Sequence, residues 1–204
     1  VLRGSPGSAL PALAGDAALL VLGHRGRGGF AGMLLGSVAL RILARARCPV
    51  AVARGGRREM NRVLVGIDVD DVARGHAPLG FAFTEAVLRG AGLAVLHVWE
   101  DRGYFSPDPM GASTRDHPTT LDSEQHERLE ALLDPWRRAH PDVAVDVVIE
   151  GGSASRGLVD ASGYADLLVV GGRPHSEPEG MQVGGLAYVL LHHAYCPVVI
   201  VPEK

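Results

Sequence analysis

The chain has 204 residues, of which 47% are apolar and 21% charged, with a formal net charge of −3 at neutral pH. That supply of core-forming residues excludes an intrinsically disordered chain, and the slight acidity gives no electrostatic reason to expect nucleic acid as a partner. No run approaches the roughly 18 apolar residues of a membrane span, no signal-peptide pattern opens the chain and two cysteines make no disulfide framework, so a cytoplasmic location without a membrane partner is expected.

Val1 stands where a Met would open a natural chain, which reads as an N-terminus other than the original start. Residues 1–54 hold two apolar strands, Leu19–Leu22 and Val50–Ala53, together with two helices and a glycine-rich loop from Gly23 to Ser37. Gly55-Gly56-Arg57-Arg58-Glu59 carries glycine and charge without an apolar period, so residues 55–61 read as a linker. Val63–Ile67 is a buried strand ending on the carboxylate of Asp68. From Pro78 to Arg89, Leu79, Ala82, Phe83, Ala86 and Val87 recur at helical spacing, and Pro78 suits a first turn, so the helix is expected to start there. A second strand runs from Leu93 to Trp99, and residues 101–121, with three prolines, form a long loop with the character of a flap. Leu129, Leu132, Leu133 and Trp136 share one face of a helix over Ser123–Ala139, which Pro135 is expected to kink or end. A strand over Val143–Ile149, a helix over about 153–163, the strand Leu167–Val170, a helix over about 185–194 and the strand Val198–Val201 complete the chain.

An internal repeat organises these elements. Leu19-Leu20-Val21-Leu22-Gly23 matches Leu167-Leu168-Val169-Val170-Gly171 at an offset of 148, and the register holds without a gap. Gly4-Ser5 meets Gly152-Ser153, Gly32-Met33 meets Gly180-Met181, and Cys48-Pro49-Val50 meets Cys196-Pro197-Val198. Residues 1–54 are therefore a copy of about 149–202. The alternation of apolar strands with amphipathic helices over 62–204 argues for a parallel, doubly wound sheet, whose ligand site lies at the carboxyl ends of the strands where their order reverses.

The strand Val63-Leu64-Val65-Gly66-Ile67-Asp68, the loop of Gly23, Gly26, Gly36 and Ser37 at spacings of two and nine residues, and the Cys-Pro-Val entry to each last strand together resemble the universal stress protein family. The resemblance covers nearly the whole chain. It implies an α/β, Rossmann-like five-stranded sheet of order 3-2-1-4-5, with one complete copy over 62–204 and the C-terminal half of another over 1–54. It further implies one ATP-sized site per domain, ATP with or without Mg²⁺ as the cofactor, and pairing of domains through their last strands, either between two chains or as a pseudo-dimer within one.

The residues themselves leave alternatives open. Glycines at Gly23, Gly26 and Gly36 let backbone N–H groups approach phosphate as an anion nest, or simply make a tight turn that packs a helix on a strand. Ser37 is either a hydroxyl donor at a helix N-terminus or a helix cap. Arg25 meets phosphate or an acidic partner. In the implied order, Asp68 stands beside Gly171, where a carboxylate suits an adenosine hydroxyl or amine, while Asp68, Asp70 and Asp71 fit either Mg²⁺ or solvent. The second loop departs from the pattern. The offset puts Pro174 in place of Gly26 and Gly185 in place of Ser37 after Gly184, and Glu177 and Glu179 bring negative charge to where phosphate would lie. Cys48 and Cys196 read as small buried hydrophobes, and His192 and His193 as solvated or capping residues rather than ligands. His24 in the first loop and His175 in the second read as incidental.

Three functions compete. The first is a nucleotide-binding stress protein without strong catalysis, in which ATP occupancy switches conformation or the choice of an unknown regulatory partner. The second is a scaffold that has lost nucleotide and serves dimerisation. The third is slow ATP hydrolysis or phosphoryl transfer, against which the sequence offers no Walker lysine and no nucleophile elbow. No catalytic and no metal-ligating residue is assigned.

Overall fold

A computed structural model of the chain describes residues 7, 9–10, 17–24, 36–54, 59–99, 120–172 and 184–202. The strands are β1 (Leu20–Gly23), β2 (Val50–Ala53), β3 (Arg62–Gly66), β4 (Gly92–Trp99), β5 (Val145–Gly151), β6 (Leu167–Gly171) and β7 (Val198–Val201). The helices are α1 (Ser37–Leu43), α2 (Val72–Arg89), α3 (Thr120–Ala139), α4 (Ala154–Ala161) and α5 (Gly185–His193). All seven strands join one sheet in the order β1-β2-β7-β6-β3-β4-β5. Read from β5 to β7, the last five strands have the 3-2-1-4-5 order.

Alternation of side chains along each strand divides the core in two. Val63, Val65, Val95, Val169 and Val199 point to one face, where α2 and α3 bring Leu79, Phe83, Leu129 and Leu133. Leu64, Leu96, Leu168, Val170 and Ile200 point to the other, covered by Leu158 of α4, Leu190 and Leu191 of α5 and Ala39 of α1. Strands buried on both faces explain the continuous apolar runs in the sequence.

The sheet is parallel except at one junction. β2 and β7 pair antiparallel, with Val50 opposite Ile200, Ala51 opposite Val199 and Val52 opposite Val198. The last strands of the two repeat segments, Val50–Ala53 and Val198–Val201, thus lie side by side within one chain, as expected. Outside that junction the two segments share their register: Leu20 pairs with Val50 as Leu168 does with Val198. The Leu20 N–H donates to Pro49 at 2.9 Å and the Leu168 N–H to Pro197 at 2.9 Å.

Two helices differ from the expectation. α2 starts at Val72, and Pro78 lies inside it rather than in its first turn; the 3₁₀ turn Val69–Asp71 that follows β3 leads straight into helical backbone. α3 runs through Pro135 to Ala139. The carbonyl that this proline leaves without a helical donor belongs to Ala131, on the exposed side and open to solvent, while buried Leu129, Leu132 and Leu133 keep the helix on the core. The flap expected over 101–121 falls outside the described residues except for its last two positions, which are helical. α2 ends at Gly90, whose φ of +60° is the left-handed conformation of a helix C-cap.

Candidate functional site

The point where strand order reverses lies between β3, whose successor β4 is on one side, and β6 on the other. A cavity of about 250 Å³ opens there. Gly66, Ile67 and Asp68 come to it from the end of β3, Gly171 and Gly172 from the end of β6, and Gly184 and Gly185 from the start of α5. The local cause is steric as much as electrostatic. A Cβ at Gly66 would stand 2.9 Å from Leu158 Cδ2, so glycine lets α4 close onto the strand end and form the floor.

Among the described residues, the charged ones that line the cavity are both acidic, Asp68 and Asp71. Asp68 is exposed, and its Oδ1 accepts the Asp70 N–H at 3.1 Å, which leaves the rest of the carboxylate available to a ligand donor. Asp70 turns elsewhere, to Arg128 Nη1 of α3 at 3.2 Å. Behind this loop, buried His97 of β4 donates from Nδ1 to the Ile67 carbonyl at 2.9 Å, and its Nε2 lies 3.2 Å from Gln125 Oε1. The peptide that precedes Asp68 is therefore fixed from below. At the other wall, the Gly184 carbonyl accepts the Tyr188 N–H at 2.9 Å and opens α5, whose first turn lines the cavity with Gly185, Leu186 and Ala187.

Of the candidate residues, Asp68, Gly171, Gly184 and Gly185 meet at this cavity. Gly23, Gly36 and Ser37 do not. Because β1 and β2 run antiparallel to the other strands, the carboxyl ends of β1 and of β6 open on opposite edges of the sheet. Gly23 ends β1 opposite Ala53, and Gly36 begins α1 with an extended backbone and its carbonyl 3.2 Å from the Leu40 N–H. Arg25 and Gly26 lie outside the described residues, as do His175 and Pro174, Glu177 and Glu179 of the second loop. His24 is tied to the end of β2, with Nδ1 3.1 Å from the Ala53 carbonyl.

Leu43 of α1 also lines the cavity. Sequence reasoning missed it, since only the antiparallel junction brings the end of α1 to this edge. Arg54 was missed as well, although the repeat held a signal for it: its counterpart is Pro202, a change of residue type just after an otherwise repeated strand. Cys48 and Cys196 are buried thiols not joined in a disulfide, and burial pushes the Cys48 thiol above its ordinary 9.0. His192 Nδ1 is 2.7 Å from the Tyr188 carbonyl and its ring lies 4.1 Å from that of Tyr188, while His193 is exposed. Among the described residues, no group of three or more His, Cys, Asp or Glu side chains is placed to hold a metal ion, and no helix is long and apolar enough to cross a membrane.

Comparison with known proteins agrees with this architecture. A universal stress protein of Mycobacterium tuberculosis, Rv1996, is 32% identical over 204 residues, covering 98% of this chain and 63% of the relative. A second from the same organism, Rv2623, is 33% identical over 207 residues, covering 98% of this chain and 67% of the relative. This chain thus spans somewhat under two thirds of the length of the first of these relatives. Among solved structures, a universal stress protein from Archaeoglobus fulgidus superposes with a TM-score of 0.68 at 20% identity, over 98% of this chain and 66% of that one. A functionally unknown protein of Pseudomonas aeruginosa, PA1789, gives 0.71 at 16% identity, over 99% and 69%. The model of the universal stress protein family matches residues 1–54 and again residues 59–202. With the sheet order, the crevice and these matches in hand, the chain belongs to the universal stress protein family.

Proposed function

We propose that the protein is a nucleotide-binding regulator without strong catalysis, and that the crevice between β3 and β6 takes the nucleoside end of an adenine nucleotide. The observation that carries this reading is the meeting of Asp68, Gly171, Gly184 and Gly185 around one cavity at the strand-order reversal. A carboxylate at that place suits a ribose hydroxyl or an adenine amine, and the apolar floor suits the base. The triphosphate is held loosely in this reading, because the charged lining among the described residues is acidic and the loop between Gly172 and Gly184 has Pro174 where the first loop has Gly26. The intact spacing of Gly23, Gly26, Gly36 and Ser37 supports ATP phosphate binding, with or without Mg²⁺, by the first repeat. In the same reading, residues 1–54 are the C-terminal half of one domain, 55–61 a linker and 62–204 a complete domain.

Calorimetric titration with adenosine and with ATP tests this reading. Both are expected to bind with affinities within about tenfold of each other, and Asp68→Asn to weaken both by about tenfold or more, some 1.4 kcal/mol. Binding of neither ligand, or an unchanged affinity in Asp68→Asn, sinks the proposal. A second reading, a scaffold for domain pairing that has lost nucleotide, is favoured by the continuous β2–β7 junction; it is the outcome if neither ligand binds. Slow phosphoryl transfer would show instead as ADP release over hours.

A further inference from the structure

Arg54 follows the last strand of the first repeat segment, yet its side chain belongs to a helix of the second. Its Nη1 donates to the Leu190 carbonyl at 3.2 Å and to the Leu191 carbonyl at 2.8 Å, and its Nη2 donates to the His192 carbonyl at 2.8 Å. These are carbonyls of the last turn of α5, at the negative end of the helix dipole; that of Leu190 also accepts the Ala194 N–H at 2.9 Å. A planar guanidinium presents its donors in a rigid fork that fixes the geometry of several such oxygens, whereas a lysine ammonium is a compact point charge with three rotatable donors. Burial pushes the Arg54 pKa below the ordinary arginine value, the direction for a cation withdrawn from water.

The position of this grip in the fold gives it consequence. α5 has nine residues, about 13 Å of rigid helix. Its first turn, Gly185 to Ala187, forms a wall of the crevice beside Asp68, while its last turn reaches the opposite edge of the sheet, where β2 ends. That edge also carries Gly23, Gly36 and the start of α1. Along its length α5 is held by apolar contacts of Ala187, Leu190 and Leu191, which resist separation from the sheet but are not directional. Arg54 supplies directional bonds that fix the helix along its axis.

The arrangement has no mirror image. The repeat places Pro202 where Arg54 stands, and proline carries no side-chain donor, so no corresponding fork reaches the end of α1 from that position. We infer that Arg54 is a positioning residue through which the β1–β2 segment sets the place of α5, and hence the shape of the crevice between β3 and β6. Movement at the β1–α1 edge and the shape of the crevice are coupled through the guanidinium, and Pro202 supplies no second such link from its own position.

The ligand part of this inference rests on the crevice being a nucleoside site, so the test has two arms. In the first, amide hydrogen exchange is followed by mass spectrometry in the intact chain and in Arg54→Gln and Arg54→Lys. Arg54→Gln is expected to speed exchange throughout α5, its crevice end included, by about tenfold or more while leaving α2 unchanged, with Arg54→Lys in between. Unchanged exchange in α5, or an equal rise in α2, overturns the inference, the latter because it marks a general loss of stability. If Arg54→Gln fails to fold, Arg54→Lys decides on the same criterion. In the second arm, adenosine affinity is expected to fall at least about fivefold in Arg54→Gln; an unchanged affinity despite faster α5 exchange overturns the link to the crevice. If the parent chain binds no adenosine, the nucleotide reading fails and the exchange arm alone decides the role of Arg54.

Discussion

Ala51 and Val199 stand opposite each other at the centre of the β2–β7 junction, and the pairs on either side of them exchange repeat-equivalent partners. Val50 faces Ile200, the counterpart of Val52, and Val52 faces Val198, the counterpart of Val50. A local two-fold relation therefore passes through this pair, and the junction has the self-complementary form of an isologous interface built within one chain.

The junction is expected to be essential to the cooperativity of the fold. Val52 is fully buried, and Val52→Asp would place an unpaired carboxylate in the apolar layer between the sheet and its helices at a cost of more than about 3 kcal/mol. Val21 of the neighbouring strand is 61% exposed, and Val21→Asp is expected to change stability by no more than about 0.5 kcal/mol. Urea unfolding of the two variants distinguishes burial from strand membership as the cause; equal losses would contradict it.

Gly80 lies inside α2, where alanine would ordinarily be preferred by about 1 kcal/mol. Here a Cβ would stand 2.6 Å from Trp136 Cη2, in a ring that stacks on Phe83 at 5.9 Å. Gly80→Ala is thus expected to destabilise by about 1–3 kcal/mol despite its helix propensity. Trp136→Phe removes the clashing ring atoms and a buried indole N–H without a partner, so the double variant should recover most of that loss. Additive losses in a double-mutant cycle would show that the contact is not the cause.

His97→Phe fills the volume of the imidazole but leaves the buried Ile67 carbonyl without its donor, at a cost of about 1–3 kcal/mol. Since that peptide leads into Asp68, adenosine affinity is expected to fall along with stability. A stability loss with unchanged affinity would show that the Asp68 loop holds its place without His97.

Cys48 is 3% exposed, and its thiol is raised above the ordinary 9.0 by burial. Alkylation by iodoacetamide at pH 8 is expected to be slow in the native chain and fast in urea. The raised value also sets a sign. The contribution of this thiol to stability is full below about pH 9 and is lost as pH rises through its folded value, because the unfolded thiol ionises first. Native labelling as fast as unfolded labelling would contradict the burial argument.

The sequence by itself determined the alternation of elements, the repeat and the residues at strand ends, because buried parallel strands write continuous apolar runs and a gap-free repeat keeps its register. It therefore singles out Asp68, Gly171, Gly184 and Gly185, which the fold brings to one cavity. It misjudged Pro78 and Pro135, since proline's local preference yields where a helix has a core face to bury and solvent to satisfy the freed carbonyl. Only the tertiary structure decided that β2 meets β7 antiparallel, and from that one junction follow the opposite edges on which β1 and β6 end, the presence of Leu43 at the crevice and the grip of Arg54 on α5. Contacts between segments more than a hundred residues apart depend on strand direction and helix placement together, and no local pattern of residues encodes both.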